Sequence, residues 1–338
     1  MLGGVEPSQA GEVPVTAEAV AEGHERVRYS DPMSLPADHA LRLARARLSL
    51  DGLSTGDAFG ERFFTSPEQL VLLLVQRTLP QAPWGYTDDT VMALSLVEVL
   101  TAAGEIDRDA LAAAFARRYA ADRQRGYGGT AHEILADIGR GVPWQEAAGA
   151  PFGGTGSMGN GGAMRVGPVG AYFADDLDRA AREAQASAQV THAHPDGQAG
   201  AIAVAVAAAV AAQMGEGTTP RVGRALLEAA LARTPAGATR DGLAKALSLP
   251  LDQAPSAAAE LLGTGRRVLS WDTVPFALWC SARHLDSYEE AMWTTVSGLG
   301  DRDTTCAIAG GVVALSARRP SLPAAWLAAR EPLSVMGG

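Results

Sequence analysis

The sequence predicts an all-α protein, and three observations carry this prediction. Apolar residues recur at intervals of three and four along most of the chain, which is the spacing of one helix face. Alanine, leucine, glutamate and arginine dominate these segments, so helix propensity agrees with the pattern. Alternating valine, isoleucine and threonine bounded by turn residues extends over no more than a few positions, so strands are expected to be nearly absent.

The helical pattern begins near Asp38, where leucines and alanines at helical spacing lead into a glycine-bearing stretch at 52–60. Further helices are predicted at 67–76, 89–103, 107–122, 130–139, 177–190, 199–214, 221–233, 240–248, 255–263, 272–283, 287–297, 303–317 and 323–330. No unit of about 20–50 residues repeats, which argues against a solenoid.

The number of domains follows from length and from one apolar segment. With 338 residues the chain exceeds the roughly 250–300 at which a single core usually stops growing, which alone favours two modest domains. Residues 201–210, however, are apolar on every side of a helix, and such a helix belongs at the centre of a large domain. The sequence therefore favours one helical domain at 37–330, after an N-terminal arm or tail at 1–36 and before a C-terminal tail at 331–338.

Composition and charge exclude several classes of protein. Hydrophobic residues make up 47% and charged residues 20%, as in globular chains, and the net charge of −10 argues against general nucleic-acid binding. Two cysteines exclude a disulfide scaffold and a thiolate zinc module. No basic start precedes an apolar run, and the longest uncharged apolar run, 200–215, is shorter than the roughly 20 residues of a membrane span. We therefore expect a cytoplasmic protein without a membrane segment.

Two distant segments place acidic residues and threonines at the start of an apolar helix. They are Thr-Asp-Asp-Thr at 87–90 and Asp-Arg-Asp-Thr at 301–304. Each is typical of a helix N-cap, but a cap needs one acceptor and the two segments hold four aspartates. Burying them together costs on the order of several kcal/mol per uncompensated charge, so either they are solvated and apart or a cation neutralises them. Such oxygen ligands suit Mg²⁺, Mn²⁺ or Ca²⁺ rather than zinc.

A glycine-rich segment lies in the middle of the chain, with six glycines within residues 153–162. Such a backbone can approach a ligand closely and present N–H groups to anionic oxygens. The segment lacks the ending of a Walker loop and does not follow a strand as a Rossmann fingerprint does. The alternative is a flexible surface loop.

Two smaller patterns carry side chains suited to a site. His192 and His194 lie one residue apart, as in some transition-metal sites, but no third nitrogen ligand is near in sequence. A single histidine near a ligand ribose or phosphate, or a plain helix-terminal histidine, is the favoured interpretation. Asp57 and Glu61 are four residues apart and share one helix face, which is unfavourable unless a cation lies opposite.

Taken together and in this order, these segments resemble the ADP-ribosylglycohydrolase family, which includes the dinitrogenase-reductase-activating glycohydrolases and the ADP-ribosyl-acceptor hydrolases. The resemblance runs from about Leu41 to Arg318. It rests on Gly-Asp-Ala-Phe-Gly at 56–60, Thr-Asp-Asp-Thr at 87–90, Gly-Asn-Gly-Gly-Ala-Met-Arg at 159–165, Thr-His at 191–192 and Asp-Arg-Asp-Thr at 301–304. It implies a single compact orthogonal helical domain with a binuclear Mg²⁺ or Mn²⁺ site in a cleft.

The resemblance also implies roles for individual residues. By matching position, the metal ligands would be Thr87, Asp88, Asp89, Asp301, Asp303 and Thr304. The positions that match residues holding ADP-ribose are Phe152, Gly156, Ser157, Gly159, Asn160 and His192. The candidate catalytic carboxylates are Asp88, Asp303 and Glu61.

Three positions depart from the family pattern. Phe64 stands where many members carry a glutamate that touches a metal. Glu61, one helical turn earlier, is the expected substitute if the helix is rotated or the loop shifts. Met158 stands where relatives often carry an aromatic residue against the adenine. Arg302 separates the two aspartates of the last motif, where a small residue is usual, and pairs with a carboxylate or a ligand phosphate or points to water.

The resemblance implies hydrolysis, dependent on two divalent cations, of the N- or O-glycosidic bond between ADP-ribose and an acceptor. The acceptor would be a modified protein side chain or a small conjugate, and nearby carboxylates would stabilise the positive charge that develops at the anomeric carbon. The alternative is a catalytically impaired ADP-ribose-binding or structural relative, which Phe64 motivates. A zinc hydrolase using the two histidines comes third, and a monomer is favoured.

Overall fold

Helices form the regular structure in the part of the chain that the computed structural model describes, namely residues 1, 3, 35–214, 220–317 and 321–333. They are α1 (His39–Glu61), α2 (Pro67–Gln76), α3 (Asp88–Ala103), α4 (Arg108–Ala121), α5 (Gly129–Gly139), α6 (Trp144–Gly149), α7 (Pro151–Gly154), α8 (Gly161–Met164), α9 (Gly167–Tyr172), α10 (Leu177–Gln189), α11 (Pro195–Met214), α12 (Pro220–Arg233), α13 (Ala238–Ser248), α14 (Pro255–Leu262), α15 (Ser270–Arg283), α16 (Tyr288–Ser297), α17 (Arg302–Val313) and α18 (Ala324–Ala329). Within these residues the only β-structure is two isolated bridges, Trp84 to Arg330 and Gly159 to Leu269. The predicted all-α class is confirmed.

The thirteen predicted helices correspond to α2–α5 and α10–α18, and each predicted end lies within four residues of the observed one. Two regions differ from the prediction. The first helix, α1, for which no end was predicted, continues through the glycine-bearing stretch to Glu61. The short helices α6–α9 are absent from the prediction, because glycine and proline interrupt their periodicity. The predicted arm at 1–36 falls almost wholly outside the described residues.

The contact between α1 and α17 explains why α1 tolerates its glycines. Gly56 and Gly60 face α17 so closely that a Cβ atom at either position would lie 2.2 Å from a backbone carbonyl oxygen of Cys306 or Arg302. Glycine therefore lets the two backbones touch, and this packing outweighs its cost of about 1 kcal/mol in a helix interior. The consequence is that the last turns of α1 lie against the first turn of α17.

The core of the molecule is built around α11. This 20-residue helix is long and apolar enough to cross a membrane by composition, yet 78% of its apolar window is buried inside the protein. The helix begins at Pro195, so the estimate of a shorter run at 200–215 was wrong in length. Alanines and valines fill its buried surface, and α10, α12 and α15 pack against it. Its burial identifies α11 as the predicted central helix.

An aromatic cluster fixes the segment that leads into α3. The ring of Phe59 on α1 stacks on Trp326 of α18 with centroids 4.6 Å apart, and it also contacts Trp84 and Trp293. Trp84 is held further by its backbone, because its N–H donates to the Ala329 carbonyl at 2.7 Å. These contacts anchor the residues just before α3 to α1 and α18.

Candidate active site

The N-terminus of α3 is capped by an aspartate from another helix. Asp57 of α1 is fully buried and accepts hydrogen bonds from the backbone N–H groups of Thr87 and Thr90 at 3.0 and 3.1 Å. The Thr90 hydroxyl donates to it at 2.5 Å, and the Thr87 hydroxyl lies 2.9 Å away. Thr87, the local N-cap residue, makes no capping bond with its own side chain. Asp57 thus caps the N-terminus of α3, a role that the sequence pattern had assigned to residues 87–90.

Because Asp57 caps α3, the two aspartates in its first turn are available for other partners. Asp88 and Asp89 are both buried. The Oδ2 atom of Asp89 lies 2.9 Å from the Thr87 hydroxyl, whose single proton can serve either Asp89 or Asp57. The Oδ1 atom of Asp89 is buried and has no hydrogen-bond partner among the described residues. Such an orphaned oxygen is costly unless something cationic or protic satisfies it.

The second acidic helix start has a similar construction. Asp301 is the N-cap residue of α17, and its carboxylate accepts a hydrogen bond of 2.7 Å from the Asn160 amide. Its backbone N–H donates to the Thr264 carbonyl at 2.9 Å. Asp303 lies in the first turn, and its Oδ1 is a second buried carboxylate oxygen without a partner in the described part of the chain. Thr304, also buried, contributes a hydroxyl next to Asp301.

The electrostatics of these groups bring the two helix starts into one site. Burial, together with the charge of Asp303, raises the pKa of Asp57 to about 7 and that of Asp301 to about 8. Burial also raises the pKa values of Asp88 and Asp89 well above the ordinary range, again with Asp303 among the causes. Since these four carboxyl groups interact with Asp303 and α1 packs against both α3 and α17, the two acidic segments belong to one site.

The chemistry of this site fits a hard divalent cation. All its donors are carboxylate or hydroxyl oxygens, which Mg²⁺ and Mn²⁺ prefer, and the orphaned oxygens of Asp89 and Asp303 lack the partner that an ion would supply. As the described side chains stand, however, no group of three or more histidines, cysteines, aspartates or glutamates is arranged to hold an ion. The donor types are present, and the ligand geometry is not preformed.

Glu61 lies at the same site, whereas Phe64 points elsewhere. Glu61 is half-buried, and burial followed by the charge of Asp303 raises its pKa. The ring of Phe64 is 48% exposed and lies 4.3 Å below the guanidinium of Arg302. Arg302 also donates to the carbonyls of Phe63 and Gly300. Of the roles considered for Arg302, the observed one is to bind backbone carbonyls and stack on Phe64.

The glycine-rich segment is ordered by close contacts at its far end. Phe152 is 60% exposed and holds a left-handed backbone, with φ at 56°. Gly156 has φ at 78°, and a Cβ there would lie 2.5 Å from Ala193, so only glycine fits. The Ser157 hydroxyl, buried, accepts from the Gly159 N–H at 3.1 Å. From Gly156 onward the segment is therefore a shaped turn that packs on residues 193–194, whereas residues 152–155 lie exposed at the surface.

Asn160 joins the glycine-rich segment to the acidic site. Its side-chain amide is buried and donates to Asp301 and, at 3.1 Å, to the Thr273 hydroxyl. The backbone of the same segment pairs with the loop before α15, where the Asn160 N–H donates to the Val268 carbonyl at 3.2 Å. The two parts of the candidate site are thus connected through one carboxylate.

A buried chain of hydrogen bonds fixes the orientation of His192 and favours one tautomer. The guanidinium of Arg165, fully buried, donates to the Thr191 hydroxyl at 2.9 Å, and this hydroxyl lies 2.8 Å from Nδ1 of His192. A hydroxyl that accepts from Arg165 keeps its own proton for Nδ1, which assigns the ring hydrogen to Nε2. The Nε2 atom faces Gly159 and Gly161. Burial lowers the pKa of His192 to about 3, so the ring is a neutral donor.

The two histidines of the 192–194 segment have separate roles. His194 uses its Nδ1 to accept the Asp196 backbone N–H at 3.1 Å, at the start of α11. It is the helix-terminal histidine that the sequence allowed, whereas His192 faces the glycine-rich segment. In the residues described here the two rings are not part of a zinc-binding group. The sequence patterns included Asp57 and Arg165 but did not predict their roles, the capping of α3 and the positioning of His192.

Comparison with known proteins places this arrangement in a family. The sequence model described as ADP-ribosylglycohydrolase matches residues 38–336. The chain belongs to this family. ADP-ribosylhydrolase ARH3 from Homo sapiens is 30% identical over 328 residues, covering 85% of this chain and 89% of that protein. An uncharacterized protein from Archaeoglobus fulgidus is 29% identical over 289 residues, covering 82% of this chain and 88% of its own length.

Comparison with a solved structure supports the same family fold. A chain described as "ADP-ribosylglycohydrolase-related protein complex" superposes with a TM-score of 0.61 at 25% identity, covering 86% of this chain and 93% of that one. The resemblance inferred from the five motifs and the ADP-ribosylglycohydrolase fold are therefore confirmed. Membership of the ADP-ribosylglycohydrolase family, together with the ARH3 relatives, supports a hydrolase acting on ADP-ribosyl groups.

Proposed function

We propose that the protein is a divalent-cation-dependent hydrolase that cleaves the N- or O-glycosidic bond between ADP-ribose and an acceptor. The acceptor is a modified protein side chain or a small ADP-ribose conjugate. The observation that carries this proposal is the convergence of two acidic helix starts on Asp303, with buried oxygens of Asp89 and Asp303 that have no partner among the described residues. A purely structural pair of caps would not need these carboxylates to face each other.

The cations would be two Mg²⁺ or Mn²⁺ ions. The residues proposed to hold them are Thr87, Asp88, Asp89, Asp301, Asp303 and Thr304. When bound, the ions supply positive charge that neutralises the carboxylates and stabilises developing negative charge on substrate oxygens. Asp57 acts behind these ligands, since its four hydrogen bonds orient the backbone and hydroxyls of Thr87 and Thr90.

The remaining catalytic roles fall to carboxylate side chains of the protein. Glu61, half-buried with a pKa raised by burial, is suited to exchange a proton with the attacking water, and Asp88 and Asp303 are the other candidate carboxylates. The same carboxylates stabilise positive charge at the anomeric carbon as the glycosidic bond breaks. Glu61 thus takes the place of the acidic residue that Phe64 does not provide.

The ADP-ribose moiety would be bound by the glycine-rich segment and His192. Backbone N–H groups at Gly156, Ser157 and Gly159 can donate to diphosphate oxygens, which is what such a turn does in other anion sites. The Nε2–H of His192 supplies a fixed, uncharged donor to a ribose or phosphate oxygen. Phe152 offers an exposed ring face for packing on the ligand.

The test is release of ADP-ribose from three substrates: an arginine-linked peptide, a serine-linked peptide and O-acetyl-ADP-ribose. Each is incubated with Mg²⁺, with Mn²⁺ and with a chelator, and free ADP-ribose is quantified by chromatography. We expect release from at least one substrate that requires the cation and is lost in Asp89→Asn. The exposed Asp252→Asn is the matched control and should retain activity. If ADP-ribose is released from none of the three substrates, the proposal is contradicted.

The second candidate is an ADP-ribose-binding relative without turnover. It is favoured by one observation, the replacement of a carboxylate at Phe64 by a ring on which Arg302 stacks. Calorimetry separates the two candidates. A binder would take up ADP-ribose with the same affinity in the wild type and in Asp89→Asn and would release nothing from the three substrates.

A further inference from the structure

A cavity of 390 Å³ opens beside Asp301, and its walls are mostly apolar. We call it the Phe64 pocket, lined by Phe64, Leu70, Val268 and Leu299 together with the residues discussed below. Phe64 and Val268 are 48% and 55% exposed, so this apolar lining is open to solvent. Exposed apolar surface that forms a concave wall is typical of a binding site.

Two strained residues belong to the same pocket. Val268 and Leu299 hold left-handed backbones, with φ at 57° and 63°, on the two loops that flank Asp301. A β-branched residue in this region is a true outlier, and such strain is found most often at functional sites. The strain therefore agrees with the cavity in marking this edge of the site.

The pocket also carries two arginines, although the chain as a whole has a net charge of −10. Arg266 and Arg302 line the same cavity as Asp301. The guanidinium of Arg302 is held by backbone carbonyls, and Arg266 is exposed. With two guanidiniums against one carboxylate, the lining is cationic on balance and suits an anion.

The position of the pocket indicates which part of a substrate it meets. It shares Asp301 with the acidic site, and its lining contains neither His192 nor a residue of the glycine-rich segment, although the carbonyl of its Val268 accepts the Asn160 N–H. If those elements bind ADP-ribose, as in the proposed function, the group that enters the Phe64 pocket is on the other side of the bond that breaks. That group is the acceptor.

We propose that the Phe64 pocket binds the acceptor and selects peptides that carry a carboxylate next to the ADP-ribosylated residue. The guanidinium fork of Arg266 matches a carboxylate, and Arg302 adds a second charge that its backbone contacts hold in place. The methylene groups of a glutamate and its neighbours pack on Phe64, Leu70 and Val268. This inference rests on the proposed function and adds the class of acceptor to it.

The experiment compares three peptides that have the same ADP-ribosylated residue and differ only in one neighbour, glutamate, glutamine or lysine. We expect KM to be lowest for the glutamate peptide by about two- to five-fold, the size of an exposed charge pair, with kcat unchanged and with the difference reduced at high salt. Arg266→Ala should raise KM for the glutamate peptide to the glutamine value. Arg266→Glu should shift the preference to lysine.

Arg267→Ala is the matched control, because this neighbouring arginine is equally exposed but does not line the pocket. Equal KM values for the three peptides, or an effect of Arg267→Ala as large as that of Arg266→Ala, would overturn the inference. If no peptide is hydrolysed, the proposed function fails first. Fluorescence anisotropy with labelled ADP-ribosylated peptides then tests the Phe64 pocket separately from hydrolysis. Tighter binding of the glutamate peptide that depends on Arg266 would support the inference, and equal binding of the three peptides would refute it.

Discussion

The acidic site and the glycine-rich segment are adjacent in the structure, but they are held in position in different ways. The acidic residues stand at the starts of two long helices, α3 and α17, whose positions are fixed by a buried cap from Asp57 and by backbone contact at Gly56. The glycine-rich segment consists of short turns with left-handed residues and an exposed Phe152, and it reaches the acidic site through the side chain of Asn160. The acidic site thus consists of closely spaced carboxylates held by packed helices, whereas the glycine-rich segment contributes the conformation of its backbone.

The crowding of charge should make the metal-free protein lose stability as the pH rises from about 4 to about 8. The folded pKa values of Asp57 and Asp301, about 7 and about 8, lie above the ordinary 3.8, so their contribution to stability is complete below about pH 4 and is lost as the pH rises towards about 8. With a chelator present we expect the free energy of unfolding to fall by several kcal/mol over this window, and Mg²⁺ to restore it. Urea unfolding at a series of pH values measures this.

A control for the pH effect is Asp303→Asn, which removes the charge that raises the pKa of four neighbours. The fall in stability with pH should then become shallower. An unchanged slope in this variant would mean that the carboxylates do not interact, and the picture of one crowded site would be wrong.

The same substitution should have the largest effect on activity. Asp303→Asn keeps the shape of the side chain but removes a candidate ligand and catalytic carboxylate, so kcat/KM should drop by about 10²–10³-fold. The far-UV circular dichroism spectrum should remain that of a helical protein. Loss of the helical signal would instead assign Asp303 to the stability of α17.

Gly56→Ala tests whether backbone contact holds the rigid region together. The new methyl group would meet the Cys306 carbonyl at 2.2 Å, which forces α1 and α17 apart and should cost about 1–3 kcal/mol in the free energy of unfolding. Gly149→Ala, where nothing lies within 4 Å of the added methyl, is the control and should leave stability nearly unchanged. Similar values for both variants would contradict the close-packing argument.

The smallest effect is expected in the glycine-rich region. Thr191→Val preserves the side-chain shape but removes the hydroxyl between Arg165 and His192, so the Nε2–H tautomer is no longer imposed. Calorimetry should show ADP-ribose binding weakened by about three- to ten-fold, the size of one or two hydrogen bonds. Thr234→Val, which loses a buried hydroxyl bonded within α12, is the control and should bind normally.

The sequence was sufficient for the longer helices, because their periodicity lies in consecutive residues. The meeting of the two acidic segments followed only from the resemblance to the family, because local charge left open whether they lie apart. The sequence was not sufficient for Asp57, since the acceptor that caps α3 comes from a helix some thirty residues earlier and is chosen by packing. The tautomer of His192 was equally hidden, because it depends on Arg165, 27 positions away in the chain. The stacking of Arg302 on Phe64 required the contact of α1 with α17.

The pairing of α1 with α17 also sets the order in which the molecule can be completed. Asp57, Asp88 and Asp89 precede the glycine-rich turn and His192 in the chain, whereas Asp303 follows them, so a nascent polypeptide on the ribosome holds one acidic segment long before the other. Trp326, which stacks on Phe59, emerges later still. The acidic site is therefore completed only late in synthesis, and products that terminate before Asp301 lack its second segment.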